Sequence, residues 1–153
     1  MISSKKGWGH SGPDYLTLPQ IEALIGVIPV EHQLLIRLLA FTGCRVSEIL
    51  SLTAKDINNE GFWDRHELMV PALKSKRSHD KYVVVHDALT RTLLQQFASG
   101  KRGLLFNVTR QRVWQIVQKA GERIGIRGVH PHTLRDSFAV AWIRAGGSLT
   151  VLQ

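Results

Sequence analysis

Two arginine-bearing motifs, each at the boundary of an apolar segment, restrict the fold of this chain more than any other feature. Thr42-Gly43-Cys44-Arg45-Val46-Ser47-Glu48 follows a stretch in which Leu34, Leu35, Leu38, Leu39 and Phe41 form a wide hydrophobic face. Such a face predicts a central helix over about 31–42, buried on more than one side, with Gly43 suited to stop it. His130-Pro131-His132-Thr133-Leu134-Arg135 opens a second helix, predicted to bury Leu134, Phe138, Ala141 and Trp142 and to stop at Gly146-Gly147. The two arginines are ninety positions apart, so a shared role requires a fold that brings a helix end against a helix start.

The remaining elements follow from punctuation and periodicity. Residues 1–14 hold Gly7, Gly9, Gly12 and Pro13 and read as a flexible arm, leaving 15–153 as one domain. Thr17-Leu18-Pro19-Gln20 has capping-box spacing with proline in the first turn, ahead of Ile21, Leu24 and Ile25. A short helix after Gly43 would turn Val46, Ile49 and Leu50 inward and place Arg45 and Glu48 on its opposite face. Lys55-Asp56-Ile57 reads as the start of a strand, with Asn58-Asn59-Glu60-Gly61 as a turn. Residues 67–71 and 82–85 read as two more strands, joined by the basic segment 74–80 as a hairpin loop. Asp87 and Thr109 are candidate caps for two further helices, the second carrying Val113, Ile116, Val117, Ala120 and Ile124. Ser148 begins a fresh helical turn in which the chain ends, as if within a longer protein. The predicted class is α+β, mostly α-helical, with a small three-stranded antiparallel sheet.

Size and charge narrow the function. At 153 residues the chain is one domain by length, and no apolar run approaches the roughly 18 residues of a membrane span. No membrane partner and no small-molecule substrate are expected. The single cysteine, Cys44, excludes an internal disulfide and suits a reducing cytoplasm. A net charge of +8 and a pI near 10.2 favour a polyanionic partner. Charge alone does not separate DNA from RNA, from an anionic membrane surface, or from a merely basic surface.

Three sets of residues can carry phosphate chemistry, and each has an ordinary structural reading beside it. The Arg45 guanidinium is a planar fork that fits two phosphate oxygens; equally it is a surface arginine paired with Glu48. His132 and Arg135 lie three apart at a helix start, where an anion meets the favourable end of the dipole. There histidine can move a proton and arginine can hold developing charge, or the two can simply cap and solvate the helix. The loop Lys74-Ser75-Lys76-Arg77-Ser78-His79-Asp80-Lys81 can enter a DNA groove, and a lysine in it can act as general acid; it can also be a solvated turn. His130-Pro131-His132 has no Cys, Asp or Glu partners at zinc-like spacing, so no metal is expected. Cys44 reads as a small buried thiol, and Trp114 and Trp142 as core residues.

Taken together and in order, these motifs resemble the catalytic domain of the tyrosine recombinases, the phage-integrase family. The resemblance rests on Thr-Gly-x-Arg-x-Ser-Glu after an apolar helix, a lysine-bearing hairpin, and His-x-Leu-Arg-x-Ser-Phe-Ala opening a helix. Tyr15-Leu16-Thr17-Leu18-Pro19 is similar to that family's lead-in, and the likeness covers about residues 15–153. It implies catalytic roles for Arg45, Lys74, His132 and Arg135, a supporting role for Glu48, and DNA contacts from Lys76, Arg77 and Lys81. Lys76 stands as the rival to Lys74 for the hairpin lysine. Where the family often has histidine after the second arginine, this chain has Asp136, a carboxylate that would weaken anion binding.

The resemblance further implies transesterification on double-stranded DNA. A tyrosine hydroxyl attacks a phosphodiester to give a 3′-phosphotyrosine, and a 5′-hydroxyl then rejoins the strands. The arginines take the place of a metal, and no cofactor is needed. The family's Leu-Gly-His/Trp segment and its tyrosine would follow Gln153, and its helical core-binding domain would precede the chain. Tyr15 and Tyr82 are poor substitutes for the nucleophile. The expectation is therefore a cytoplasmic, DNA-associated catalytic-domain fragment, without a nucleophile of its own and inactive alone. Family members usually exchange a C-terminal helix, so self-association on DNA is open. A non-catalytic DNA-binding regulator that keeps the phosphate clamp is the alternative, and a generic RNA-binding or scaffold protein is a third.

Overall fold

In a computed structural model, which describes residues 12–70 and 81–147, the chain is a helical body with a two-stranded sheet at one edge. Helix α1 (Leu18–Gly26) begins as its sequence requires: Gln20 N–H donates to the Thr17 hydroxyl, and the Gln20 side chain accepts from Thr17 N–H at 2.8 Å. Helix α2 (Val30–Thr42) is the axis of the molecule. Leu35, Ile36, Leu38 and Leu39 are each at most 1% exposed, the outcome expected for a helix apolar on most of its surface. Around it lie α1, α3 (Val46–Leu50), α6 (Ala88–Ala98) and α8 (Pro131–Arg144), while α7 (Arg110–Arg123) packs on α1, α3 and α8. Asp87 and Thr109 cap α6 and α7 by accepting from Thr90 and Arg112 backbone N–H groups.

A buried polar cluster ties α6 to α2. Arg37, 6% exposed, donates from Nε to the Thr90 hydroxyl at 3.1 Å and from Nη2 to Asp87 Oδ2 at 3.0 Å. Glu22 approaches from α1 at 3.6 Å. The desolvation cost of the guanidinium is offset by these partners together.

The segment from 53 to 65 corrects the expected third strand. Residues read as strand and turn form two short helices, α4 (Ala54–Ile57) and α5 (Glu60–Arg65). Asp56 Oδ2 accepts from Thr53 N–H at 2.8 Å, and Asn59 Oδ1 accepts from Phe62 N–H at 2.9 Å. Asp and Asn bind neighbouring N–H groups in turns and at helix starts alike, so the same residues serve both. Ala54 and Ile57, three apart and both buried, then seal α4 against the core. What survives of the sheet pairs β1 (Glu67–Val70) with β2 (Lys81–Val84), antiparallel, in the register Glu67↔Val84 to Val70↔Lys81. Thr53 forms only an isolated bridge to Leu104.

Helix α8 is a second correction. Leu134 is fully buried, but Phe138 and Trp142 are half-buried and Ala141 is exposed. Their stripe runs past the core and lines a groove of about 340 Å³ with Leu16, Leu18, Ile21 and Phe41. No helix among the described residues is long and apolar enough to cross a membrane.

Candidate functional site

The turn from α2 into α3 is built to present Arg45. Gly43 caps α2 with φ +74°, a left-handed conformation that costs glycine nothing. A Cβ there would also lie 2.5 Å from the Phe138 ring of α8. Cys44 is buried, as expected, and its N–H donates to the Thr42 hydroxyl. Arg45 follows as an exposed residue in extended conformation at the start of α3. Its backbone N–H donates to Glu48 Oε1 at 2.8 Å, so the acidic residue fixes the backbone from which Arg45 projects.

Arg135 comes to this turn from the first turns of α8. Its Nε donates to the Gly43 carbonyl at 2.9 Å, across 92 positions of sequence. That bond uses one edge of the guanidinium, and among the described residues its remaining N–H groups are left for a ligand. The two motifs are thus joined in space, with the second arginine anchored two residues before the first. The α8 start is itself ordered: Thr133 Oγ1 accepts from His130 N–H at 3.2 Å, and Pro131 occupies the first helical position. Ser137, 2% exposed, accepts from Leu16 N–H at 2.8 Å and pins the lead-in segment to α8. Tyr15 is held at the far end of the same helix, where its hydroxyl accepts from Arg144.

His132 is exposed on α8, with Asp136 Oδ1 at 3.6 Å from its Nε2. Asp136 therefore stands beside the imidazole. Lys74, Lys76 and Arg77 lie outside the described residues, and so does the hairpin tip that would carry them. Lys81 opens β2 opposite Val70. Tyr82, next on that strand, is 65% exposed.

Trp114, expected in the core, is 48% exposed on α7 and stacks on His130 with centroids 4.7 Å apart and planes at 8°. His130 in turn faces His132 at 6.4 Å and 23°. The signal is partial: Trp114 lies three before Val117 but also three after Gln111 and four before Gln118, which puts it at the border of the Val113, Ile116, Val117, Ala120 stripe. Elsewhere, burial alone would push the Asp87 carboxyl up. Hydrogen bonds from the Thr90 hydroxyl and N–H, together with the Arg37 guanidinium, outweigh it and hold the group below its ordinary value.

The phage integrase family model matches residues 14–153. Tyrosine recombinase XerD of Bifidobacterium longum is 31% identical, aligned over 92% of this chain and 53% of its own length. Tyrosine recombinase XerA of Saccharolobus solfataricus is 31% identical over 80% of this chain and 40% of its own. The chain spans about half the length of the curated relatives it matches. Among solved structures, a XerA recombinase crystal structure superposes with a TM-score of 0.73 at 24% identity, covering 99% of this chain and 56% of that one. The integrase from mycobacterium phage Brujita gives 0.75 at 22% identity, covering 98% and 51%. The Tn1549 transposon integrase bound to transposon right-end DNA gives 0.74 at 17% identity, covering 95% and 58%. The motifs read from the sequence, the helical body with its small antiparallel sheet, and the match over residues 14–153 agree: this chain belongs to the phage integrase family, the tyrosine recombinases.

Proposed function

We propose that the chain is the phosphate-binding part of a recombinase catalytic domain, gripping duplex DNA at the bond to be cut. Arg45 and Arg135 form the charge clamp, His132 handles a proton at the same phosphate, and Glu48 holds the Arg45 backbone. The observation that carries this reading is the Arg135–Gly43 hydrogen bond of 2.9 Å, which anchors one arginine beside the turn that presents the other. Paired guanidiniums stabilise the extra negative charge of a five-coordinate phosphorus transition state without a metal. Lys74, with Lys76 as rival, completes the set as general acid to the leaving 5′-oxygen, and Lys76, Arg77 and Lys81 add backbone contacts. In the whole protein the reaction is strand cleavage and rejoining through a 3′-phosphotyrosine.

Neither Tyr15 nor Tyr82 is the attacking group in this reading. The Tyr15 hydroxyl is engaged with Arg144, at the opposite end of α8 from Arg135, and Tyr82 sits on the edge sheet. The chain should bind DNA without forming a covalent adduct.

The test is duplex DNA binding by fluorescence anisotropy across a salt series. Each phosphate contact contributes about −0.9 to the slope of log affinity against log salt. Arg45→Ala and Arg135→Ala should each weaken binding about tenfold or more and flatten the slope by about one contact. A flat salt response in the wild type, or unchanged affinity in both variants, contradicts the reading.

A further inference from the structure

We propose that Trp114 is a positioning residue for His132, acting through the ring of His130; the assignment rests on the reading of His132 as a phosphate-site residue. Three rings, from α7, the cap residue before α8 and α8 itself, form a ladder. Trp114 of α7 lies nearly parallel to His130, at 4.7 Å and 8°, and His130 faces His132 at 6.4 Å and 23°. His132 alone is poorly restrained: its side chain is 63% exposed, and Asp136, one helical turn on and 50% exposed, stands 3.6 Å away. An exposed imidazole whose polar neighbour among the described residues is a distant, solvated carboxylate samples several rotamers. His130 has less freedom. Its backbone is fixed by the Thr133 hydroxyl and by Pro131, and its ring is backed by an indole that shows only half its surface to solvent.

Core packing does not explain the indole's position. Val113, Ile116 and Val117 supply α7's buried face, and Trp114, at the border of that face, is still 48% exposed. An aromatic pair beyond simple burial is worth enough to bias a rotamer equilibrium about threefold to tenfold. The bias here favours the His132 orientation that the His130 ring permits. A proton-handling group gains from such fixing, because its reach to the phosphate oxygen must be set within a fraction of an ångström.

The experiment is a double-mutant cycle on the full chain, with labelled mixed-sequence duplex DNA as probe, using Trp114→Leu, His132→Ala and the double variant. NMR of the DNA-free chain reads the cross-relaxation between the His130 and His132 rings. Trp114→Leu should abolish that ring-to-ring signal and weaken DNA binding about threefold to tenfold. The same change in the His132→Ala background should cost nothing, and Trp114→Phe, which keeps a stacking ring, should restore both readouts. If the leucine variant does not fold, Trp114→Gln carries the same comparison. An undiminished loss in the His132→Ala background, or a ring-to-ring signal unchanged by Trp114→Leu, overturns the assignment. If Arg45→Ala and Arg135→Ala weaken binding while the cycle is additive, only the role of Trp114 fails. If those arginine variants bind as wild type does, the phosphate reading fails and takes this role with it.

Discussion

The guanidinium of Arg135 is hydrogen-bonded through Nε to the carbonyl of Gly43 at 2.9 Å. That carbonyl belongs to the left-handed residue that ends α2, two positions before Arg45. One contact therefore orients the second arginine and braces the turn that carries the first. The α8 side chain packed over the same glycine is Phe138, so the pairing is held by apolar contact as well as by the polar bond.

Gly43→Ala should damage both links. The left-handed backbone costs a residue with a Cβ about 1–2 kcal/mol. The added carbon would also fall 2.5 Å from the Phe138 ring, forcing α8 to shift. Chemical denaturation should show a loss of about 2–4 kcal/mol, with DNA affinity reduced in the protein that remains folded. A stability within 0.5 kcal/mol of wild type, roughly the scatter of neutral surface changes, would contradict the packing described.

Asp136→Asn tests the carboxylate beside His132. The pair is exposed on both sides, so removing its charge should alter stability little. DNA affinity at moderate salt should rise about twofold to fivefold, because a like charge leaves the neighbourhood of the bound phosphate. Weaker DNA binding by this variant would mean that Asp136 supports His132 more than it repels DNA.

Acid should attack the Arg37 cluster through Asp87. Its folded-state carboxyl is held below the ordinary value. Its contribution is therefore complete above the unfolded pKa of about 3.9 and is lost as pH falls through the lower folded value. Wild-type Tm should fall more steeply from about pH 5 to about pH 2 than that of Asp87→Asn, which has no proton to take up at that position. Arg37→Met, which leaves the Asp87 carboxylate its Thr90 hydrogen bonds but removes its paired cation, should cost about 2–4 kcal/mol at neutral pH. Parallel Tm profiles for wild type and Asp87→Asn would contradict this assignment.

Elements with strong local instructions were legible in the sequence. Thr17, Asp87 and Thr109 cap the helices they announced, and the face of Leu35, Leu38 and Leu39 placed α2 at the centre. Helices α4 and α5 were not legible, because four and six residues carry too little periodicity and Asn59 and Asp56 suit turns as well as caps. The two arginine motifs could be read as chemistry, but their joining could not. The Arg135–Gly43 bond spans 92 positions and depends on the packing of α8 against α2. Phe138 and Trp142 fit a core stripe by spacing alone, and only the tertiary arrangement leaves them lining a groove.

The central claim is that Arg45 and Arg135 act on one phosphate, and a double-mutant cycle on duplex DNA affinity tests it most directly. Residues sharing a partner couple by about 0.5–3 kcal/mol, whereas independent sites add within about 0.3–0.5 kcal/mol. The account predicts that Arg45→Ala with Arg135→Ala loses at least about 1 kcal/mol less than the sum of the single losses. Additive losses across the cycle would place the two guanidiniums on separate phosphates and contradict the clamp.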